Sequence, residues 1–174
     1  GLQGTHIVQI GIIDYANSTT DSFGSASGWT GGTLDSTNSY YGSILGRYAA
    51  GPETNGQDVY KSFTLNSQPA TISFDFIKLD SWDGESFSAY VNNTPAFSGN
   101  FSAGQPISSA SGSTNGFSWT IAAKDSLAHG GFAGWEDQTA TVTIALPAGY
   151  SNLIFGFGST LDQGIDDESY GIDN

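Results

Sequence analysis

Apolar residues recur at every second position along much of the chain, the period of a strand with one buried and one wet face. Ile72, Phe74 and Phe76 share one face of such a run. Phe87, Ala89 and Val91 share another, and that run stops at the turn-forming Asn92-Asn93-Thr94-Pro95. Val142, Ile144 and Leu146 alternate with Thr141, Thr143 and Ala145 until Pro147-Ala148-Gly149, after which Leu153, Phe155 and Phe157 open the next strand. Val59-Tyr60-Lys61-Ser62-Phe63-Thr64-Leu65 and Phe117-Ser118-Trp119-Thr120-Ile121 add two more, and residues 7–13 another with weaker alternation. The Ser-, Gly- and Asn-rich stretch 98–116 reads as a long loop inside the domain, since strands on both sides of it are needed to complete the sheets. Helical spacing is scarce and no internal repeat is visible. Short strands punctuated by turn residues predict an all-β fold, an antiparallel two-sheet β-sandwich of jelly-roll type, as a single domain over 1–174.

Composition supports a core of that kind. The 174 residues include 11 Phe, 8 Tyr and 4 Trp, whose rings supply much of the burial a β-rich core requires. Cysteine is absent, which excludes disulfides, thiolate metal sites and cysteine nucleophiles. Seventeen acidic residues face only Arg47, Lys61, Lys78 and Lys124, for a formal net charge of −13. Four scattered cations cannot build a phosphate-binding surface, so nucleic acid is excluded as a partner. No stretch approaches the roughly 20 apolar residues of a membrane span, so direct membrane insertion is not expected.

The acidic residues are clustered. Asp80-Ser81-Trp82-Asp83-Gly84-Glu85 lies between two predicted strands, an acidic hairpin in which Gly84 permits a sharp turn and three carboxylates can converge on one ion. The second cluster runs from Asp162 through Gln163-Gly164-Ile165-Asp166-Asp167-Glu168-Ser169-Tyr170-Gly171-Ile172-Asp173-Asn174. Adjacent Asp166, Asp167 and Glu168 repel one another when ionised, so they either splay into water or are bridged by cations. Calcium suits such sites because it accepts about six to eight oxygens in irregular geometry, whereas magnesium demands a stricter octahedron. Zinc is disfavoured, with only His6 and His129 to offer nitrogen. Neither cluster follows the EF-hand loop. Asp35 with Asn38, and Trp135-Glu136-Asp137-Gln138, are weaker oxygen-rich candidates, for which an ordinary surface turn is the competing explanation.

Three segments together carry a resemblance: Phe74-Asp75-Phe76 leading into the acidic hairpin, Trp135-Glu136-Asp137-Gln138, and Asp167-Glu168-Ser169-Tyr170-Gly171-Ile172-Asp173-Asn174. Over roughly 29–174 the chain resembles the calcium-dependent peptide-binding domains of giant bacterial RTX adhesins. The resemblance implies a β-sandwich with long calcium-binding loops, a monomeric module of a larger extracellular adhesin on the bacterial cell surface. It implies further that the module takes the C-terminal peptide of a host cell-surface protein. Carried over by position, Asp80, Asp83, Glu85, Asp167, Glu168 and Asp173 become calcium ligands, with Ser81, Trp82 and Tyr170 beside the bound peptide. A surface of this charge repels a peptide carboxylate, and an incompletely coordinated calcium ion reverses that locally.

Three other functions compete with that reading. A calcium-dependent carbohydrate-binding, lectin-like module would use Trp29, Trp119, Trp135 or Tyr40-Tyr41 as stacking platforms. A glycosidase would need two of Glu85, Glu136 and Glu168 flanking a substrate cleft, but the carboxylates are crowded in the manner of ion ligands, and the expectation is a binding module and not an enzyme. A spacer in an adhesin stalk would bind nothing.

Overall fold

The alternating runs become strands whose apolar faces close on one another across two antiparallel sheets. The computed structural model describes residues 9–14, 17–22, 25–50, 58–128, 132 and 135–173, and every regular element among them is a strand. In the larger sheet β3 (Leu34–Asp35), β4 (Ile44–Tyr48), β13 (Glu168–Asp173), β6 (Ala70–Asp80), β11 (Gln138–Leu146), β10 (Phe117–Ala123) and β9 (Ala110–Thr114) lie in that order. β1 (Gln9–Asp14) joins them through β6 and carries β2 (Asn17–Ser22) beside it. The smaller sheet has the order β5 (Val59–Thr64), β12 (Asn152–Ser159), β7 (Asp83–Val91), β8 (Thr94–Ser102). The two-sheet sandwich expected from the sequence is therefore present.

β6 organises the molecule. Its 11 residues pair with β11 on one side, while on the other side β1 covers Ala70 to Ser73 and β13 covers Asp75 to Asp80. Its inward residues Ile72, Phe74 and Phe76 are fully buried against the smaller sheet. Phe76 stacks on Phe87 with ring centroids 4.2 Å apart, and Phe74 meets Phe157 edge-on at 4.9 Å. Each such ring contributes about 1.5–3 kcal/mol on burial, so this aromatic layer fixes how β6 and β7 face each other. The hairpin that joins them inherits that rigidity.

Two expectations need correction. Residues 98–116 are not one loop: β8 continues to Ser102 and β9 begins at Ala110. β8 lies at the edge of its sheet, held by backbone pairing to β7, by a Ser88–Ser98 hydroxyl contact of 2.9 Å and by Phe97 and Phe101, which pack into the core. Nor is the acidic C-terminal segment a loop throughout, since Glu168–Asp173 forms β13, paired to β4 on one side and β6 on the other. At Gly171 a Cβ would lie 2.5 Å from Ile44 Cδ1, so a larger residue there needs the buried Ile44 side chain to shift.

Tyr170, read from the resemblance as a ligand-contacting residue, is instead fully buried on β13, packed against Phe87 and Tyr48. Its hydroxyl donates to Asp58 Oδ2 at 3.0 Å, and burial, reinforced by the Asp58 charge, holds its ionisation far above the usual tyrosine range. Tyr170→Phe keeps the ring and removes that bond to a charged acceptor. The expected cost is about 1.5–3 kcal/mol in urea unfolding, with ligand and ion binding unchanged.

Candidate metal centre

The β6–β7 hairpin and the 161–167 loop meet at one end of the sandwich, so the two acidic segments do lie together. Ser81 makes the join. Its backbone N–H donates to the Asp167 carbonyl at 2.9 Å, and its hydroxyl donates to the same carbonyl at 2.8 Å and to Asp167 Oδ1 at 2.6 Å. Trp82, next in the chain, turns inward with no exposed surface, and its indole N–H donates to the Ser169 carbonyl at 2.9 Å. The loop itself is tightened by the N–H groups of Asp167 and Glu168, both donating to the Gly164 carbonyl.

Glu168 sits where this loop enters β13 and is fully buried. Its Oε1 accepts two backbone N–H bonds, from Asp162 at 2.7 Å and Gln163 at 2.8 Å. Its Oε2 is buried and has no hydrogen-bond partner among the described residues. Carboxylate oxygens of Glu85, Asp162 and Glu168 all lie within 4.8 Å of one another. Glu85 is half-buried at the start of β7, and Asp162 is exposed. One buried, one half-buried and one solvent-facing carboxylate are thus gathered from three places in the chain.

Asp83 and Asp167 border the cluster. The Asp83 N–H donates to Glu85 Oε2 at 2.7 Å. A side-chain contact with Glu85, together with Glu85's charge, pushes the Asp83 carboxyl above the ordinary aspartate range, as expected of two carboxylates forced together. The ion pairs of Arg47 with Asp35 and Asp166, and of Lys124 with Asp75, engage carboxylates outside this group. A hard divalent cation fits the donors: it would supply the positive charge, and Oε2 of Glu168 is an oriented ligand atom otherwise costly to bury.

The remaining predicted ligands fall elsewhere. Asp173 is at the far end of β13, opposite Asp75 and five residues from Glu168, about 17 Å away at roughly 3.4 Å per residue. It cannot share this ion. Asp166 is exposed and pairs with Arg47 at 3.5 Å. Asp80 is fully buried, but the charges acting on its carboxyl are those of Asp137, Arg47 and Asp166. Its φ of 65° breaks the alternation of β6 at that point. Trp82 is part of the core, packed on Phe76 and Phe101, and is not a ligand contact. Trp29 is likewise no stacking platform, being buried against Phe157. His6, His129 and Asn174 lie outside the described residues.

Asp162 was absent from the predicted ligands although it begins the acidic segment. Its signal is its place six residues before Glu168, with Gly164 between them, a spacing that returns the chain to the same point. The more conspicuous run Asp166-Asp167-Glu168 masked it. An all-β sandwich with an acidic centre at one end is the class that fold and site define. Comparison with protein-family models, with curated proteins and with solved structures finds no match.

Proposed function

We propose that this chain is a calcium-dependent binding module, in which an ion held by Glu85, Asp162 and Glu168 ties the β6–β7 hairpin to the 161–167 loop and presents a coordination face to a ligand. The observation that carries the reading is Glu168: fully buried, oriented by two backbone amides, with its second oxygen lacking a hydrogen-bond partner inside a carboxylate cluster. A glutamate held this way is poorly placed to exchange protons with a substrate, which favours binding over hydrolysis. Exposure of Asp83, Asp162 and Asp167 leaves the outer side of the cluster open to solvent.

The finer reading is that of an extracellular adhesin module on a bacterial surface, whose calcium accepts the terminal carboxylate of a peptide from a host surface protein. The resemblance supports it, as does the strongly acidic surface, on which a bound cation would be the natural seat for an anionic group. In calcium, short peptides with free C-termini are expected to bind and their amidated counterparts not, as measured by calorimetry. Equal binding of both forms defeats the peptide-terminus reading. Exposed Trp135 and Tyr40 favour a glycan as second reading. Sugar binding on an array, lost in Trp135→Ala, would establish it.

A further inference from the structure

The three most exposed large apolar side chains among the described residues, Tyr40 at 67%, Trp135 at 55% and Ile165 at 41%, come together from distant parts of the chain. Tyr41 is the hub. Its ring meets Tyr40 edge-on at 4.9 Å between centroids and stacks on Phe132 at 5.8 Å, while its hydroxyl donates to Asp137 Oδ2 at 3.3 Å. Phe132 and Asp137 bracket Trp135 in the chain, so the segment that displays the indole is fastened to Tyr41 at both ends. The Arg47 guanidinium lies 4.4 Å from the Phe132 centroid and donates to the Ile165 carbonyl at 2.9 Å, which places Ile165 beside the same stack. Phe132 and Tyr41 rest in turn on Ile44, Ile77 and Leu79, a small buried cluster distinct from the main core. The seat is packed, and its outermost side chains are left in water.

We infer that this surface docks a cationic polypeptide segment, an apolar side chain flanked by Lys or Arg, at a place separate from the Glu85–Asp162–Glu168 cluster. The inference uses none of that cluster's carboxylates and does not rest on its holding an ion. Grouped exposed apolar side chains with a polar rim mark interaction surfaces, and Trp, Tyr and Arg are the residues that carry most of the binding energy in protein interfaces. Charge then selects the partner. Asp166 is exposed beside Ile165, and Glu136 is half-buried beside Trp135. Arg47 is divided between Asp35 and Asp166, and Lys78 is fully buried with its ammonium on the Ser102 carbonyl, so neither offers a free cation at the rim. A second copy of this chain brings a net charge of −13 and an anionic membrane brings phosphates, and both are repelled. A neutral glycan would use the rings but leave the aliphatic Ile165 against hydroxyls and the acidic rim uncompensated. Lys or Arg of a polypeptide meets the acids and lies favourably over the aromatic faces, while its apolar neighbour covers Ile165.

The probe is a short synthetic peptide in which one tryptophan is flanked on each side by lysines, both ends blocked so that no terminal carboxylate can reach an ion. Its binding to the full chain is measured by calorimetry in calcium and in chelator, beside a peptide with glycine in place of the tryptophan, which reports unspecific attraction to an acidic protein. The tryptophan peptide is expected to bind about tenfold tighter than the glycine peptide, in both buffers, and to weaken as salt is added. Trp135→Ala and Tyr40→Ala truncate exposed side chains and are each expected to weaken it by about tenfold, with Ile165→Ser repeating the test on the third. Tyr60→Ala removes an exposed ring from β5 in the other sheet and is expected to leave binding unchanged. Absence of binding, equal affinity for the two peptides, or an equal loss in Tyr60→Ala overturns the inference. Binding confined to calcium also overturns it, by assigning the probe to the carboxylate cluster. Self-association, or glycan binding, that is lost in Trp135→Ala while the peptide stays bound gives the surface to that partner and overturns it as well.

Discussion

Calcium added to chelator-treated protein is expected to raise its melting temperature by roughly 5–10 °C, and Glu168→Gln is expected to abolish the share of that rise due to the Glu85–Asp162–Glu168 centre. Binding to the folded state alone adds RT ln(1 + [L]/Kd), about 2.7 kcal/mol at a hundredfold excess over Kd. For a domain of this size each kcal/mol shifts the midpoint by about 2–4 °C. The Gln variant is chosen because its carbonyl oxygen can still accept the N–H bonds of Asp162 and Gln163 that Glu168 Oε1 receives. The loop thus keeps its shape while the charged ligand atom is removed. In chelator the variant should melt no lower than wild type, because a buried charge has been replaced by a neutral amide. Calorimetry on the same pair should show affinity at this centre falling by about a hundredfold or more, roughly the 2.7 kcal/mol worth of one charged ligand. An unaltered calcium response in Glu168→Gln, for both midpoint and stoichiometry, removes this centre from the molecule's chemistry.

Trp82→Ala should cost about 3–5 kcal/mol of unfolding free energy, the range for truncating a large buried aromatic. The indole has no exposed surface and packs edge-on against Phe76 and Phe101 at 5.8 Å and 5.9 Å between centroids. Its removal also leaves the Ser169 carbonyl without the N–H that reaches it. Since Ser81 and Asp83 flank Trp82 and touch the acidic loop and Glu85, the ring anchors the hairpin beneath the carboxylate cluster. Denaturant unfolding should therefore show the full loss in chelator as well as in calcium. Were the residue a ligand-contacting aromatic, truncation would weaken binding and spare stability; that outcome, seen in unfolding curves coincident with wild type, sinks the core assignment.

The pattern of apolar positions carried much of the fold because strands record burial locally. Ile72, Phe74 and Phe76 need only alternate for their shared face to be legible. β13 escaped notice for the opposite reason. Tyr170 and Ile172 alternate within a run crowded with carboxylates, and what makes the segment a strand is hydrogen bonding to β4 and β6, from more than 80 residues away. Trp82 shows the same limit in reverse: an aromatic inside an acidic turn can pack into the core or face a ligand, and only the hairpin folded over Phe76 decides between them.

The candidate site divides in the same way. Carboxylates in clusters, without enough Lys or Arg to neutralise them, were evident from the chain itself, and so was the pairing of hairpin and terminal segments as the places to look. Which carboxylates converge was not. Asp162 and Glu168 are joined to Glu85 by the pairing of β6 with β13 and of β7 with β12, while the same pairing carries Asp173 to the far end of a strand. Asp80 leaves the cluster through a backbone dihedral. The sequence by itself determined a sandwich of aromatic-cored strands and an excess of negative charge at its turns, because both follow from local composition and period. Only the tertiary structure decided which oxygens face one another, because that depends on strand register, and register is set by long-range backbone pairing and core packing.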